Sequence, residues 1–83
     1  MADLRFSSPV PIRVHANVRK TIWRADEAAE VLLYDWPKSA IDDPICKAAM
    51  KACHDAIAGK GAVQNARTVF EAAAREVGIL DEA

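Results

Sequence analysis

The sequence predicts an α+β fold. An N-terminal two-stranded antiparallel β-hairpin packs on three α-helices, and the last two helices form an antiparallel helical hairpin. Three observations predict this fold. Apolar and polar residues alternate from Val10 to Val14, as in a half-buried strand. Apolar residues then recur every three or four positions in three later segments, which is the spacing of a helix face. The short turn Gly59-Lys60-Gly61 joins the last two of these segments.

The size and composition indicate one small globular domain. The chain has 83 residues, of which 52% are hydrophobic and 28% are charged, and this balance argues against disorder. We expect residues 1–8 to be a flexible leader, residues 9–79 to be a single α+β domain and residues 80–83 to be a frayed tail. Because a core this small is close to the limit of self-sufficiency, association with a second copy is expected.

The predicted hairpin begins with the alternating segment from Val10 to Val14. Pro11 has no N–H to give to a sheet, which favours an edge strand or an outward-pointing position. Ala16-Asn17 is the predicted turn, since asparagine tolerates left-handed backbone. The segment from Val18 to Trp23 is the predicted return strand because it contains several residues that favour extended structure.

The first helix is predicted between Ala25 and Pro37, and we expect both flanking parts of the chain to pack against it. Asp26 lies in its first turn, where its carboxylate can cap free N–H groups, and Pro37 ends the helix. Trp36 is the predicted interior anchor, with its indole N–H reaching a carbonyl group. The predicted buried face consists of four residues at helical spacing: Ala29, Leu32, Leu33 and Trp36.

The second and third helices are predicted from Pro44 to about Ala58 and from Ala62 to about Val77. Asp43 caps the second helix, and Gly78 ends the third. The predicted face of the second helix comprises Ile45, Ala49, Ala52, Cys53, Ala56 and Ile57, widened by Cys46 and Met50. The predicted face of the third comprises Val63, Ala66, Phe70, Ala73 and Val77.

The two cysteines, Cys46 and Cys53, are predicted to be small core residues with free thiols. They lie about 10.5 Å apart along the axis of one helix, which exceeds the reach of a disulfide. Free thiols suit a reducing compartment, and no apolar run approaches the roughly 20 residues of a membrane span. The N-terminus also lacks the apolar core of a secretory signal. We therefore expect a cytoplasmic protein with no membrane contact.

The net charge is −1, but the charges are unevenly distributed. Five basic residues and no acid lie between Leu4 and Arg24, whereas six basic residues and eleven acids follow. One interpretation is a surface for nucleic acid or an acidic partner. The other is a basic hairpin that lies beside its own acidic helices. The candidate contact residues for the first interpretation are Arg13, Arg19, Lys20, Trp23 and Arg24.

The sequence predicts no catalytic, cofactor-binding or metal-binding residue. The only cluster of soft ligands, on the second helix, lacks the spacing of a zinc site. Cys53 and His54 are adjacent on a helix and point apart, so they do not form a nucleophile pair. The chain has no Gly-rich phosphate loop and no Ser-centred elbow. We expect a protein that is not an enzyme and needs no cofactor.

Several residues together resemble a known family. They are Leu32-Leu33, Trp36-Pro37, Ala49 to Cys53, Ala56, Ala66-Arg67, Phe70, Ala72-Ala73-Ala74, Glu76 and Gly78-Ile79. They are similar to a family of short bacterial proteins, domain-of-unknown-function family nine-eight-two, over about residues 10–79. This resemblance implies an ordered domain and brings no activity.

Three functional hypotheses follow from the sequence. The first is a non-enzymatic protein-interaction or regulatory module that acts as a homodimer and binds an unidentified protein partner. The second is a nucleic-acid-binding module that uses the basic hairpin, in which case binding falls steeply with salt. The third is a thiol or metal site at Cys46 and Cys53.

Overall fold

The computed structural model describes residues 3–14, 18–40 and 42–81 and has the α+β architecture that the sequence predicts. The elements in chain order are β1 (Arg5–Val14), β2 (Val18–Arg24), α1 (Ala25–Glu30), α2 (Pro44–Ile57) and α3 (Val63–Glu76). A π-helical turn, Val31–Asp35, continues α1, and a short 3₁₀ turn, Lys38–Ala40, precedes α2.

The strands β1 and β2 form an antiparallel pair in which Val10 is opposite Ile22 and Val14 is opposite Val18. The alternation predicted for β1 is confirmed, since Val10, Ile12 and Val14 are all buried. Their side chains, with Ile22, form the inner face of the sheet. The predicted turn at Ala16-Asn17 lies outside the described residues.

The first strand begins at Arg5, so the prediction of a flexible leader is wrong for residues 5–8. Phe6 is only 3% exposed and belongs to the core, which anchors this segment. The backbone N–H of Ser7 donates to Gln64 Oε1 of α3 at 3.1 Å. A register shift between Arg5 and Val10 accommodates the break in alternation at Ser7-Ser8-Pro9.

The C-terminal segment pairs with the other side of β1, so the predicted frayed tail is wrong for Leu80 and Asp81. Leu80 forms an isolated antiparallel bridge with Ile12. The N–H of Arg13 donates to the carbonyl of Ile79 at 2.7 Å, and the N–H of Asp81 donates to the carbonyl of Pro11 at 2.9 Å. β1 is therefore flanked on both sides. Residues 82 and 83 of the predicted tail lie outside the described part of the chain.

The first helical segment ends at Asp35, just before Pro37, so the predicted stop is confirmed, but residues 31–35 form a π-helical turn. Such a turn contains one more residue than an α-helical turn, which rotates the side chains that follow. Val31 and Leu32 are therefore the buried pair, and Leu33 is 58% exposed. The prediction that Leu33 belongs to the buried face is wrong for this reason.

The predicted cap of the first helix is also wrong. Arg24 occupies the N-cap position and makes no side-chain capping bond. Asp26 Oδ1 instead accepts a hydrogen bond from Arg24 Nε at 3.0 Å. The carboxylate of Glu27 accepts the backbone N–H of Trp23 at 3.1 Å, so it satisfies a strand group immediately before the helix.

The helices α2 and α3 each contain 14 residues and pack against each other, as predicted. Asp43 caps α2 by accepting the N–H of Ile45 at 3.0 Å, which confirms the predicted helix start. Gly78 follows α3 with a φ of 78°, the left-handed geometry expected at a helix end. One correction concerns the end of α2, where Ile57 is exposed rather than buried. Within the described ranges, no helix is long and apolar enough to cross a membrane.

Trp36 lies in the core, as predicted, and is 6% exposed. Its ring packs against Phe70 of α3 with a centroid separation of 5.7 Å. The indole N–H donates to the sulfur of Cys46 at 2.9 Å, so the acceptor is a thiol and not the predicted carbonyl group. Trp36 therefore contacts both helices of the helical hairpin.

Candidate protein-interaction edge

Four basic side chains of the hairpin form ion pairs with acids of the same chain. Arg13 and Arg19 both pair with Asp81, at 3.4 Å and 3.2 Å. Lys20 pairs with Asp35 of the π-helical turn at 3.1 Å. Arg24 pairs with Asp26 of α1 at 3.0 Å, and this carboxylate raises the pKa of the Arg24 guanidinium. These four side chains thus lie beside acids of their own chain, two of them beside the helical segments and two beside Asp81 of the C-terminal segment.

The structure does not bring the five candidate contact residues together on one surface. Side chains of a strand alternate between two faces. Arg13, Arg19 and Trp23 share the outer face of the sheet, where Trp23 is 50% exposed. Lys20 and Arg24 alternate with them and pair with acids of the π-helical turn and α1.

The hydrogen-bond pattern of β1 shows which backbone groups of β2 face outward. The carbonyl of Pro11 and the N–H of Arg13 bond to the C-terminal segment, so they point away from β2. In an antiparallel pair, when the N–H and C=O groups of one residue point away from the neighbouring strand, those of the residue directly opposite also point away. Thr21 is opposite Pro11, and Arg19 is opposite Arg13. The backbone N–H and C=O groups of Arg19 and Thr21 therefore point away from β1.

This second side of β2 is an open sheet edge. Among the described residues, the only strand hydrogen-bonded to β2 is β1. The backbone N–H of Trp23 belongs to the same side by alternation, and Glu27 already accepts it. We call the outward-facing backbone of Arg19, Thr21 and Trp23 the β2 edge. Neither Arg19 nor Thr21 is a proline, and the register shift of the sheet lies beyond both, so neither residue blocks another strand.

A groove of 330 Å³ lies beside the β2 edge, between β2 and the helix that follows it. Its floor includes Ile22 and Val31, and Tyr34 of the π-helical turn stands at its side with 79% of its surface exposed. Three carboxylates and one amine line it. The complete lining is Lys20, Thr21, Ile22, Glu27, Glu30, Val31, Tyr34 and Asp35. The groove is thus acidic with an apolar floor.

The thiols are poor candidates for chemistry. Burial raises the pKa of the Cys53 thiol to about 12, and burial also raises the pKa of the Cys46 thiol. Both thiols are therefore protonated at neutral pH, whereas the thiolate is the reactive form. In the part of the chain that the structure describes, no three His, Cys, Asp or Glu residues are grouped to hold a metal ion.

Sequence reasoning missed the β2 edge itself. Charge and aromatic character identify the five candidate contact residues, whereas the edge is defined by backbone groups. A partial signal was present in the sequence, because Pro11 lacks an N–H and is found where the ladder does not need one. The pairing of the C-terminal segment with β1 shows which backbone groups of β2 face outward, and no feature of the sequence indicates that pairing.

Comparison with known proteins agrees with the fold. No curated protein matches the chain. The NMR structure of the Agrobacterium tumefaciens protein Atu1219 is similar, with a TM-score of 0.77 and 29% sequence identity, and the match covers 96% of this chain and 78% of that chain. The family described as protein of unknown function (DUF982) matches residues 8–80, so the chain belongs to that family.

Proposed function

We propose that this protein is a non-enzymatic protein-interaction module that acts as a homodimer through the β2 edge. The observation that carries the proposal is the outward direction of the Arg19 and Thr21 backbone groups. Unpaired strand groups at a sheet edge are a template for pairing with another strand. A second copy of β2 would satisfy them and widen a sheet that is narrow within one chain.

Two further features support an interaction module over an enzyme. The thiols are buried and protonated at neutral pH, which removes the strongest nucleophiles of the chain. The groove beside β2 also has buried aliphatic residues at its floor and charged residues around it. This combination of apolar centre and polar rim is typical of protein interfaces.

Nucleic-acid binding by the hairpin is the alternative function. The exposure of Trp23 on the same face as Arg13 and Arg19 favours it, because exposed aromatic rings can stack on bases. The ion pairs oppose it, since phosphate groups would have to compete with Asp81 for both arginines. We also propose a cytoplasmic location, which both unpaired cysteines support.

Sedimentation velocity over a range of protein concentrations tests the homodimer. Thr21→Pro removes an N–H that points away from β1, so it should leave the hairpin paired and abolish the dimer. Thr21→Val is the matched control because it keeps the N–H and the β-branched shape. We expect the parent chain and Thr21→Val to dimerise and Thr21→Pro to be a folded monomer by circular dichroism. A parent chain that is monomeric at several hundred micromolar would refute the proposal.

A further inference from the structure

We infer that two copies pair their β2 strands antiparallel about a twofold axis at Thr21, which places Arg19 opposite the partner's Trp23. This inference rests on the proposed homodimer and adds the register and the side-chain contacts of the interface. It follows from three constraints: the direction of the backbone groups, the length of the strand and the positions of its charges.

The backbone directions restrict the possible registers. A twofold axis perpendicular to the sheet keeps outer-face residues on the outer face of both copies. Residues directly opposite each other must also share a face. The β2 edge is formed by Arg19, Thr21 and Trp23, so these residues pair among themselves. Arg19 and Thr21 offer both backbone groups to the partner, whereas Trp23 offers its carbonyl, since Glu27 accepts its N–H. Registers in which an outer-face residue is opposite an inner-face residue are excluded.

The length of the strand favours one of the remaining registers. β2 has seven residues, Val18–Arg24, with Thr21 at its centre. When Thr21 is opposite the partner's Thr21, all seven residues are paired. When the twofold axis moves by one residue, to residue 20 or to residue 22, only five residues are paired, 18–22 or 20–24. The centred register therefore makes the most backbone contact.

The charges favour the same register. With Thr21 at the axis, Val18 is opposite the partner's Arg24, and Lys20 is opposite the partner's Ile22. No two basic side chains are then directly opposite each other. With the axis at residue 20, Lys20 is opposite the partner's Lys20. With the axis at residue 22, Lys20 is opposite the partner's Arg24. Directly opposed like charges destabilise a strand pair, so both shifted registers are disfavoured.

The centred register also gives Trp23 a partner. On the outer face, the Arg19 side chain would lie across from the partner's Trp23 indole, and the twofold axis produces this contact twice. Arg19 is 66% exposed and holds Asp81 through Nε, so the ion pair uses one edge of the guanidinium and leaves its flat face for the ring. An arginine over an indole ring is a favourable cation–π pair. The contact would cover a tryptophan that is half exposed in the single chain.

The acidic groove suits the inner face of the same pair. Inner-face side chains of an added strand lie beside Ile22, which lines the groove together with Glu27 and Glu30. The partner's Lys20 is opposite Ile22 in this register. Its amine, which pairs with Asp35 of its own chain, would then also lie near these two carboxylates, so charge complementarity favours a second copy of β2 as the occupant.

Disulfide trapping tests the register. Residues directly opposite each other have Cα atoms about 4.5–5.5 Å apart, which is within the range for a disulfide. Thr21→Cys should cross-link to itself under mild oxidation. Val18→Cys and Arg24→Cys should each fail to cross-link alone, because like positions are about 20 Å apart along the strand. A mixture of these two variants should give a cross-linked heterodimer. Cys46 and Cys53 are buried and provide no competing thiol at the surface.

The outcomes separate the register from the dimer. Cross-linking of Thr21→Cys and of the mixed pair supports the register. If sedimentation shows a dimer but Thr21→Cys does not cross-link, or Val18→Cys cross-links alone, the register is overturned and the homodimer stands. If sedimentation shows only monomer, the homodimer and the register both fail.

Discussion

The indole N–H of Trp36 donates to the sulfur of Cys46 at 2.9 Å, and this contact joins the end of the π-helical turn to the first turn of α2. The same ring packs on Phe70, so one side chain connects the first helical segment to both later helices. Because Pro37 follows directly, the ring is presented where the chain leaves helical geometry: the ψ of Trp36 is 143°. The position of the π-helical turn relative to α2 and α3 therefore depends on this residue.

Replacing the ring should destabilise the fold severely. Trp36→Ala removes a buried aromatic side chain and should cost about 3–5 kcal/mol of unfolding free energy. Trp36→Phe keeps a ring against Phe70 but loses the hydrogen bond, so it should cost less. Urea denaturation followed by circular dichroism measures both. A Trp36→Ala variant with the midpoint of the parent chain would contradict the core assignment.

These residues also show how far the sequence predicts the fold. Sequence patterns identify local roles well. Such roles are the place of Trp36 in an apolar stripe, of Asp43 at a helix cap and of Gly78 at a helix end. The predicted burial of Leu33 is wrong because a π-helical turn adds one residue to a spacing that otherwise looks α-helical. The predicted leader and tail are wrong at Phe6 and Leu80 because the partners of these two residues are distant in sequence. The β2 edge depends on that same long-range pairing, so charge and composition did not identify it.

The buried thiol of Cys53 predicts a loss of stability at high pH. Its pKa is raised from 9.0 to about 12 in the folded chain, so between these values the unfolded chain binds fewer protons. The free energy of unfolding should therefore be unaffected below about pH 9 and should fall as the pH rises above it. Chemical denaturation at pH 8 and pH 10.5 measures the change. Cys53→Ala should show a smaller fall than the parent chain, and equal falls would refute this origin.

The ion pairs at Asp81 predict weak nucleic-acid binding by the parent chain. Asp81 holds Arg13 and Arg19, and its removal should free both guanidinium groups. Fluorescence anisotropy with a mixed-sequence oligonucleotide at low salt should show little binding for the parent chain and more for Asp81→Asn. The Asp81 side chain is only 11% exposed, so losing both ion pairs should cost more than the ~1 kcal/mol typical of an exposed pair, and circular dichroism checks that Asp81→Asn remains folded. Tight, salt-dependent binding by the parent chain would favour the alternative function.

A side chain at position 78, just after α3, should lower stability through backbone strain and not through a steric clash. Gly78 has a φ of 78°, and a Cβ built there meets nothing within 4 Å. Gly78→Ala should therefore cost about 1–2 kcal/mol, the price of left-handed geometry for a residue with a side chain. Thermal unfolding measures this loss. Ala62→Gly, just before α3, offers a comparison at a position that has ordinary backbone geometry. A Gly78→Ala variant as stable as the parent would contradict the assigned role.

Amide hydrogen exchange, measured by NMR at two protein concentrations, tests the homodimer most directly. The amides of Lys20 and Ile22 face β1 and should exchange slowly at both concentrations, so they are internal controls. The amides of Arg19 and Thr21 should exchange slowly in the concentrated sample and rapidly after dilution, because only a second copy protects them. Rapid exchange of these two amides at every concentration, with the controls still protected, would contradict the proposal that the β2 edge joins two copies.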